Sequence, residues 1–168
     1  MFPSSSIPLF LIGCFHEIQI ERQGSQYENA QRDFRQKLES LIDQLGIRFI
    51  GEEAPASGES IACLVAGIRN LRYTNIDIPS ECCKKIKHRL PSIFNDATLK
   101  WDDLLESDMY ASAWNRVREY HMYQTAIEEL ERTAEASLLI VGELHVEPLV
   151  ALGFPPPFLV SSFIFRST

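Results

Sequence analysis

Two nearly continuous apolar runs constrain what this chain can fold into more than any other feature. One is Ile7–Phe15 (IPLFLIGCF) and the other Ala136–Val141 (ASLLIV). Neither alternates apolar with polar residues, so each predicts a strand covered on both faces, as in a parallel sheet flanked by helices. Both runs close on the same grammar: Gly13-Cys-Phe-His16 in the first and Gly142-Glu-Leu-His145 in the second. A glycine there lets the backbone turn sharply and lets another segment approach. With only four histidines in the protein, two at matching strand ends point to a site.

The stretches between these runs complete an alternating pattern. Residues 1–6 read as a loose leader. Tyr27, Ala30, Phe34, Leu38, Leu41, Ile42 and Leu45 recur at spacings of three and four, predicting a helix that Gly46 ends. Ile47–Gly51 is a short second strand that runs into Glu52-Glu53. Pro55–Gly58 is a turn, and Glu59–Leu71 a helix with Ile61, Leu64, Val65 and Ile68 on one face. Tyr73–Ile78 reads as a third strand with Asp77 near its end. Pro79-Ser80 can open another helix, whose Lys84, Lys85, Lys87, His88 and Arg89 form a solvated basic run.

From Pro91 to Ser107 the pattern is weak. Met109–Glu135 is the longest helix, with Ala113, Val117, Tyr120, Ile127, Leu130 and Ala134 as its core stripe. That wheel puts Arg116 along the stripe and Arg118 on the far side, with Trp114, His121 and Met122. A short helix to about Leu152, an extended Pro155–Pro157 and a last apolar strand, Phe158–Phe165, finish the chain. Alternating strands and helices predict a single α/β domain over residues 1–168, three-layered, with a mostly parallel central sheet and helices on both faces. Strand order stays open at this level.

Composition narrows the partners. A chain of 168 residues, 45% hydrophobic and 23% charged, can bury an ordinary core without covalent staples. The net charge of -7 argues against nucleic-acid and anionic-membrane partners, and no apolar run is long enough to span a bilayer. Cys14, Cys63, Cys82 and Cys83 lack Cys-x-x-Cys spacing and read as free thiols, as in a cytoplasmic protein. Leu11-Ile12-Gly13-Cys14 resembles a lipoprotein processing site, but the first basic residue is Arg22, so a strand is the preferred reading.

In a parallel sheet the chemistry gathers outside the carboxyl ends of the strands. His16 follows the first strand, Glu52 and Glu53 the second, Asp77 the third and His145 the penultimate one. Each alone has a bland explanation: a hydrogen-bonded loop histidine, a surface acid pair, a turn aspartate before Pro79. Together, His16, one of the glutamates and His145 form a pointed collection. Two imidazoles and a carboxylate (His16, Glu53, His145) can hold a divalent ion such as zinc, manganese or cobalt. Without metal they can do acid/base work, with Glu53 or Glu52 activating water and an arginine meeting negative charge. Glu17 and Glu119 are candidates for orienting the histidines.

In order along the chain, Gly13-Cys-Phe-His16, Gly51-Glu-Glu-Ala54, Arg118-Glu-Tyr-His-Met122 and Gly142-Glu-Leu-His145 resemble the motif set of the superfamily grouping erythromycin-esterase-like, TraB/Tiki-like and ChaN-like proteins. The resemblance implies a hydrolytic site with His16, Glu52 or Glu53, Arg118, Glu119 and His145 at it, and a small-molecule or peptide substrate. Its branches also include metal-dependent proteases and haem binders, so the scaffold does not choose one function. The leading expectation is a small hydrolase for an ester or amide-type substrate. The alternative is a module that binds haem or a nucleotide without turnover, and the third a homodimer built on the Phe154–Phe165 run as an exposed edge.

Overall fold

In the computed structural model the described residues are 8–53, 59–79, 82–83, 108–156 and 158–160. They form five parallel strands: β1 (Leu9–Cys14), β2 (Phe49–Glu52), β3 (Arg72–Asn75), β4 (Ser137–Gly142) and the two-residue β5 (Leu159–Val160), in the order β3-β2-β4-β1-β5. The helices are α1 (His16–Gln19), α2 (Glu28–Leu45), α3 (Ile61–Arg69), α4 (Asp108–Thr133) and α5 (Glu143–Leu152). The expected leader, the Pro55–Gly58 turn, the whole basic run, and Phe158–Phe165 beyond Val160 fall outside the described residues.

The two apolar runs lie side by side. Cys14 pairs with Gly142 and Leu9 with Ser137, so the two Gly-x-x-His segments leave the sheet in register. Strand pleating sends alternate residues to opposite faces. Ile12, Cys14, Ile50, Leu138 and Ile140 face Phe34, Leu38 and Leu41 of α2 and Ile61 and Val65 of α3. Leu11, Phe49, Leu139 and Val141 face Met122 and Ala126 of α4 and Val146 and Leu149 of α5. Burying each such side chain contributes about 1.5–3 kcal/mol against the entropy of ordering it. That is why the continuous apolar runs appear here as central strands.

The crossovers β1→α2→β2 and β2→α3→β3 step toward the β3 edge and lay their helices on one face. The crossovers through α4 and α5 step the other way and cover the opposite face. A single crossover hand demands this arrangement. The three-layer parallel sheet with helices on both faces is therefore present.

Local chemistry sets the boundaries. Gly46 ends α2 at a φ of 63°, its N–H donating to the Ile42 carbonyl, in the left-handed conformation that glycine adopts at least cost. Ser60 caps α3 by accepting from the Cys63 N–H at 3.0 Å. Two expectations shift. The third strand ends at Asn75 rather than Ile78, because Asn75 Oδ1 turns the chain by accepting from the Asp77 N–H at 2.9 Å. His16–Gln19 forms a one-turn helix that the sequence pattern did not suggest.

Candidate active site

The connections leaving β2 and β4, which are neighbours, run in opposite directions. The crevice between their carboxyl ends is thus a topological switch point, where parallel α/β sheets place their ligands. Glu53 is the first residue past β2. Its N–H donates to the Ile140 carbonyl at 2.8 Å, which extends the ladder by one residue and seats the side chain in that crevice.

Glu53 is the centre of the constellation. Its Oε2 accepts from the Gly142 N–H at 2.6 Å, and its Oε1 accepts from Arg118 Nη2. Two imidazole nitrogens face the same Oε1, His145 Nε2 at 3.4 Å and His16 Nε2 at 3.5 Å. Arg118 is held in turn by Asp77, through Nε–Oδ1 at 3.1 Å and Nη2–Oδ2 at 2.8 Å. Its Nη1 lies 3.4 Å from His145 Nε2. His145 Nδ1 pairs with Glu119 Oε1 at 2.9 Å, and His16 Nδ1 with Gln19 Oε1 at 3.1 Å.

Exposure divides these groups into a floor and a mouth. The Glu53 and His145 side chains are 1% and 6% exposed, whereas Arg118 is 20% and His16 50% exposed. A substrate can touch His16 and Arg118. It meets Glu53 and His145 only through them.

The charges beneath are strongly coupled. Burial alone would raise the Glu53 pKa, but the hydrogen bond and charge of His145, the Gly142 N–H and the Arg118 charge outweigh it and hold it at about 2. Burial works against a charged His145, yet its contacts with Glu53 and Glu119 keep its pKa above the ordinary value. Burial opposes the Arg118 charge as well, and its hydrogen bonds to Asp77 with the charges of Glu53 and Asp77 more than offset it. The floor is an ionised carboxylate paired with the Arg118 guanidinium and with an imidazole whose charged form Glu53 and Glu119 favour.

Gly142 is required by this crowding. A Cβ there would stand 2.8 Å from His16 Nε2 and 3.1 Å from Glu53 Oε2. Its φ of -58° suits any residue, so the constraint is the close approach alone. Gly142→Ala should keep the fold, cost about 1–3 kcal/mol by overpacking, and displace the His16 ring. Thermal unfolding and the His16 imidazole resonances report this; unchanged resonances would contradict the packing described.

His16, Glu53, Arg118, Glu119 and His145 are thus brought together, and Glu52 is not. As the preceding residue and the last of β2, Glu52 points to the opposite face, where Ser60 Oγ and Tyr73 Oη (2.7 Å) both donate to its Oε2. Arg118 serves the site, while Arg116 is exposed. The expected core stripe on the long helix is corrected accordingly. Tyr120 and Ala134 are exposed, and Glu119, Met122, Ala126 and Leu130 are buried. The first half of α4 passes the carboxyl edge of the sheet, where the strand ends need polar partners, so its inward face carries Arg118 and Glu119.

Glu17 is exposed and does not orient His16; Gln19 does. Asp77, readable as a turn residue, proves to be the bidentate partner of Arg118. Gln19 was missed, although its spacing of three from His16 places both on one side of a helical turn.

The expected metal set does not fit this geometry. Arg118 Nη2 sits on the Glu53 oxygen that a cation bridging the two imidazoles would need. Among the described residues, no group of three His, Cys, Asp or Glu side chains is arranged to hold a metal ion. A cleft of about 210 Å³ lies at the opposite edge of the sheet, lined by Asp43, Ile47, Arg48 and Arg69 among others, and contains none of these groups. Among the described residues no helix is long and apolar enough to cross a membrane.

The chain was compared with models of known protein families, with curated proteins and with solved structures. It matches none of them.

Proposed function

We propose that this protein is a small, metal-free hydrolase acting on an ester or amide-type carbonyl at the β2/β4 crevice. The observation that carries the reading is the half-exposed His16 imidazole, whose Nε2 stands 3.5 Å from the buried, ionised Glu53. An imidazole that reaches solvent above a fixed negative charge is suited to take a proton, because the imidazolium it becomes is stabilised at once. The ordered resemblance to the erythromycin-esterase-like, TraB/Tiki-like and ChaN-like superfamily supports the same reading.

The roles follow from protonation and exposure. With a pKa of about 2, Glu53 is a weak base and acts as the charge that favours His16 imidazolium. His16 Nε2 takes a proton from water as the water oxygen attacks the carbonyl carbon. Arg118 Nη1, 3.4 Å from His145 Nε2, is the guanidinium nitrogen that does not contact a carboxylate, and it donates to the developing oxyanion. Collapse of the tetrahedral intermediate breaks the bond to the leaving alcohol or amine, which takes the proton from His16. Asp77 and Glu119 hold Arg118 and His145 in place throughout.

The test is a panel of neutral aryl esters, thioesters and anilides in chelator. Hydrolysis should persist there, and His16→Ala should lower kcat/KM by about 10²-fold, a typical acid/base contribution. Stability should change by less than about 0.5 kcal/mol, because the ring is half exposed. Equal rates in wild type and variant would remove His16 from the chemistry. No turnover with a copurifying chromophore or nucleotide would support the binding-module reading.

A further inference from the structure

We infer that Gln19 is a positioning residue that fixes the tautomer of His16, holding the proton on Nδ1 and keeping Nε2 bare toward Glu53. The inference rests on the reading of His16 as the base and adds how that base is prepared. Gln19 is completely buried, and its Oε1 lies 3.1 Å from His16 Nδ1. A carboxamide oxygen can only accept, so Nδ1 must carry hydrogen, and a neutral ring then has its lone pair on Nε2. A histidine free in water favours the reverse tautomer. Without Gln19, both the ring's own preference and the Glu53 carboxylate 3.5 Å from Nε2 would place the proton on Nε2, and the ring could not act as a base there.

The orientation of the carboxamide is set from below. Its Nε2 makes no hydrogen bond among the described residues, and the side chain lies against the buried Cys14 thiol. A thiol sulfur suits the NH₂ end, so Oε1 is left to face His16. An acid at position 19 would bury a further carboxyl, whereas an amide orients the ring without adding charge.

The turn that carries both residues is clamped. A four-residue helix has no stability of its own. Here the Ile18 N–H donates to the Phe15 carbonyl at 3.0 Å, and buried Gln31 donates from Nε2 to the Glu17 carbonyl at 2.9 Å. Gln31 Oε1 also accepts from the Arg22 N–H at 3.1 Å, which ties the following loop to α2. Rigid support of this kind is what a residue acting through another group requires.

The experiment is long-range ¹H–¹⁵N correlation of the His16 ring at alkaline pH, where imidazoles are neutral, together with ester hydrolysis. Wild type should show a protonated Nδ1 and a bare Nε2. Gln19→Leu should shift the population toward protonated Nε2 and lower kcat/KM by about tenfold or more. Gln19→Glu, whose carboxylate accepts the same hydrogen bond, should restore the wild-type tautomer. A protonated Nε2 in wild type, or an unchanged tautomer in Gln19→Leu, overturns the inference. If Gln19→Leu does not fold, the wild-type spectrum decides together with Gln19→Glu. A tautomer shift in a protein that hydrolyses nothing upholds the role of Gln19 and removes the hydrolytic reading instead.

Discussion

Glu53→Gln should lower the stability of this protein by about 3 kcal/mol at pH 7 and abolish most of its turnover. The Glu53 carboxyl is held at about 2 against an ordinary 4.5, a difference worth about 3 kcal/mol at 1.36 kcal/mol per unit. A depressed folded-state pKa means that the native state binds fewer protons than the unfolded chain between pH 2 and 4.5. The stabilisation is therefore complete above the ordinary carboxyl range and disappears as pH falls toward 2. Urea unfolding of wild type and variant should differ most at neutral pH and converge on acidification. A difference that ignores pH would refute the charge argument.

The loss spreads to the neighbours. Arg118 keeps Asp77, but the charge that offsets the burial of His145 is gone, so the His145 pKa should fall below its wild-type position. On the proposed reaction, removing the charge that stabilises His16 imidazolium should cost about 10²–10³-fold in kcat/KM.

The residue beside it should behave in the opposite way. Glu52→Gln is expected to stabilise the protein at pH 8 by up to about 3 kcal/mol and to leave it nearly unchanged below pH 4. Burial pushes the Glu52 carboxyl from 4.5 up to about 7, against the Ser60 and Tyr73 hydrogen bonds and with the help of the Glu53 charge. A raised folded-state pKa gives a stability that is full below the ordinary carboxyl range and declines as pH rises through 7. At pH 8 the wild type carries a buried charge whose Oε1 has no hydrogen-bond partner among the described residues, while glutamine mimics the protonated form and still accepts from Ser60 and Tyr73. Thermal unfolding across pH measures this. A glutamine variant less stable than wild type at pH 8 would mean that the buried charge is satisfied in a way this packing does not contain.

That adjacent glutamates diverge in this way shows how far local pattern reaches. Glu52-Glu53 is legible as a carboxylate pair at a strand end, but which one serves the crevice depends on pleat phase. Phe49 and Gly51 face the α4/α5 side, Ile50 and Glu52 the α2/α3 side, and Glu53 leaves the strand at its mouth. Phase is set by what packs on each face, and no run of four residues declares it.

The arginine illustrates a different limit. Reading a helical wheel for apolar residues assumes that the buried face is apolar. On α4 it is so in the second half, at Met122, Ala126 and Leu130, whereas Arg118 and Glu119 point inward to meet Glu53, Asp77 and His145. Charged groups become the buried stripe wherever a helix crosses an edge lined with strand-end carboxylates and imidazoles.

By itself, the sequence determined that two central strands end in Gly-x-x-His, that helices cover both sides, and that ionisable groups gather at one edge. These are consequences of local periodicity and of glycine at strand ends. Only the tertiary structure decided that β4 lies between β2 and β1, which selects Glu53 over Glu52 and Arg118 over Arg116, and which brings in Asp77 and Gln19. Strand order, pleat phase and buried hydrogen-bond partners depend on contacts between residues far apart in the chain, and those exist only once it has folded.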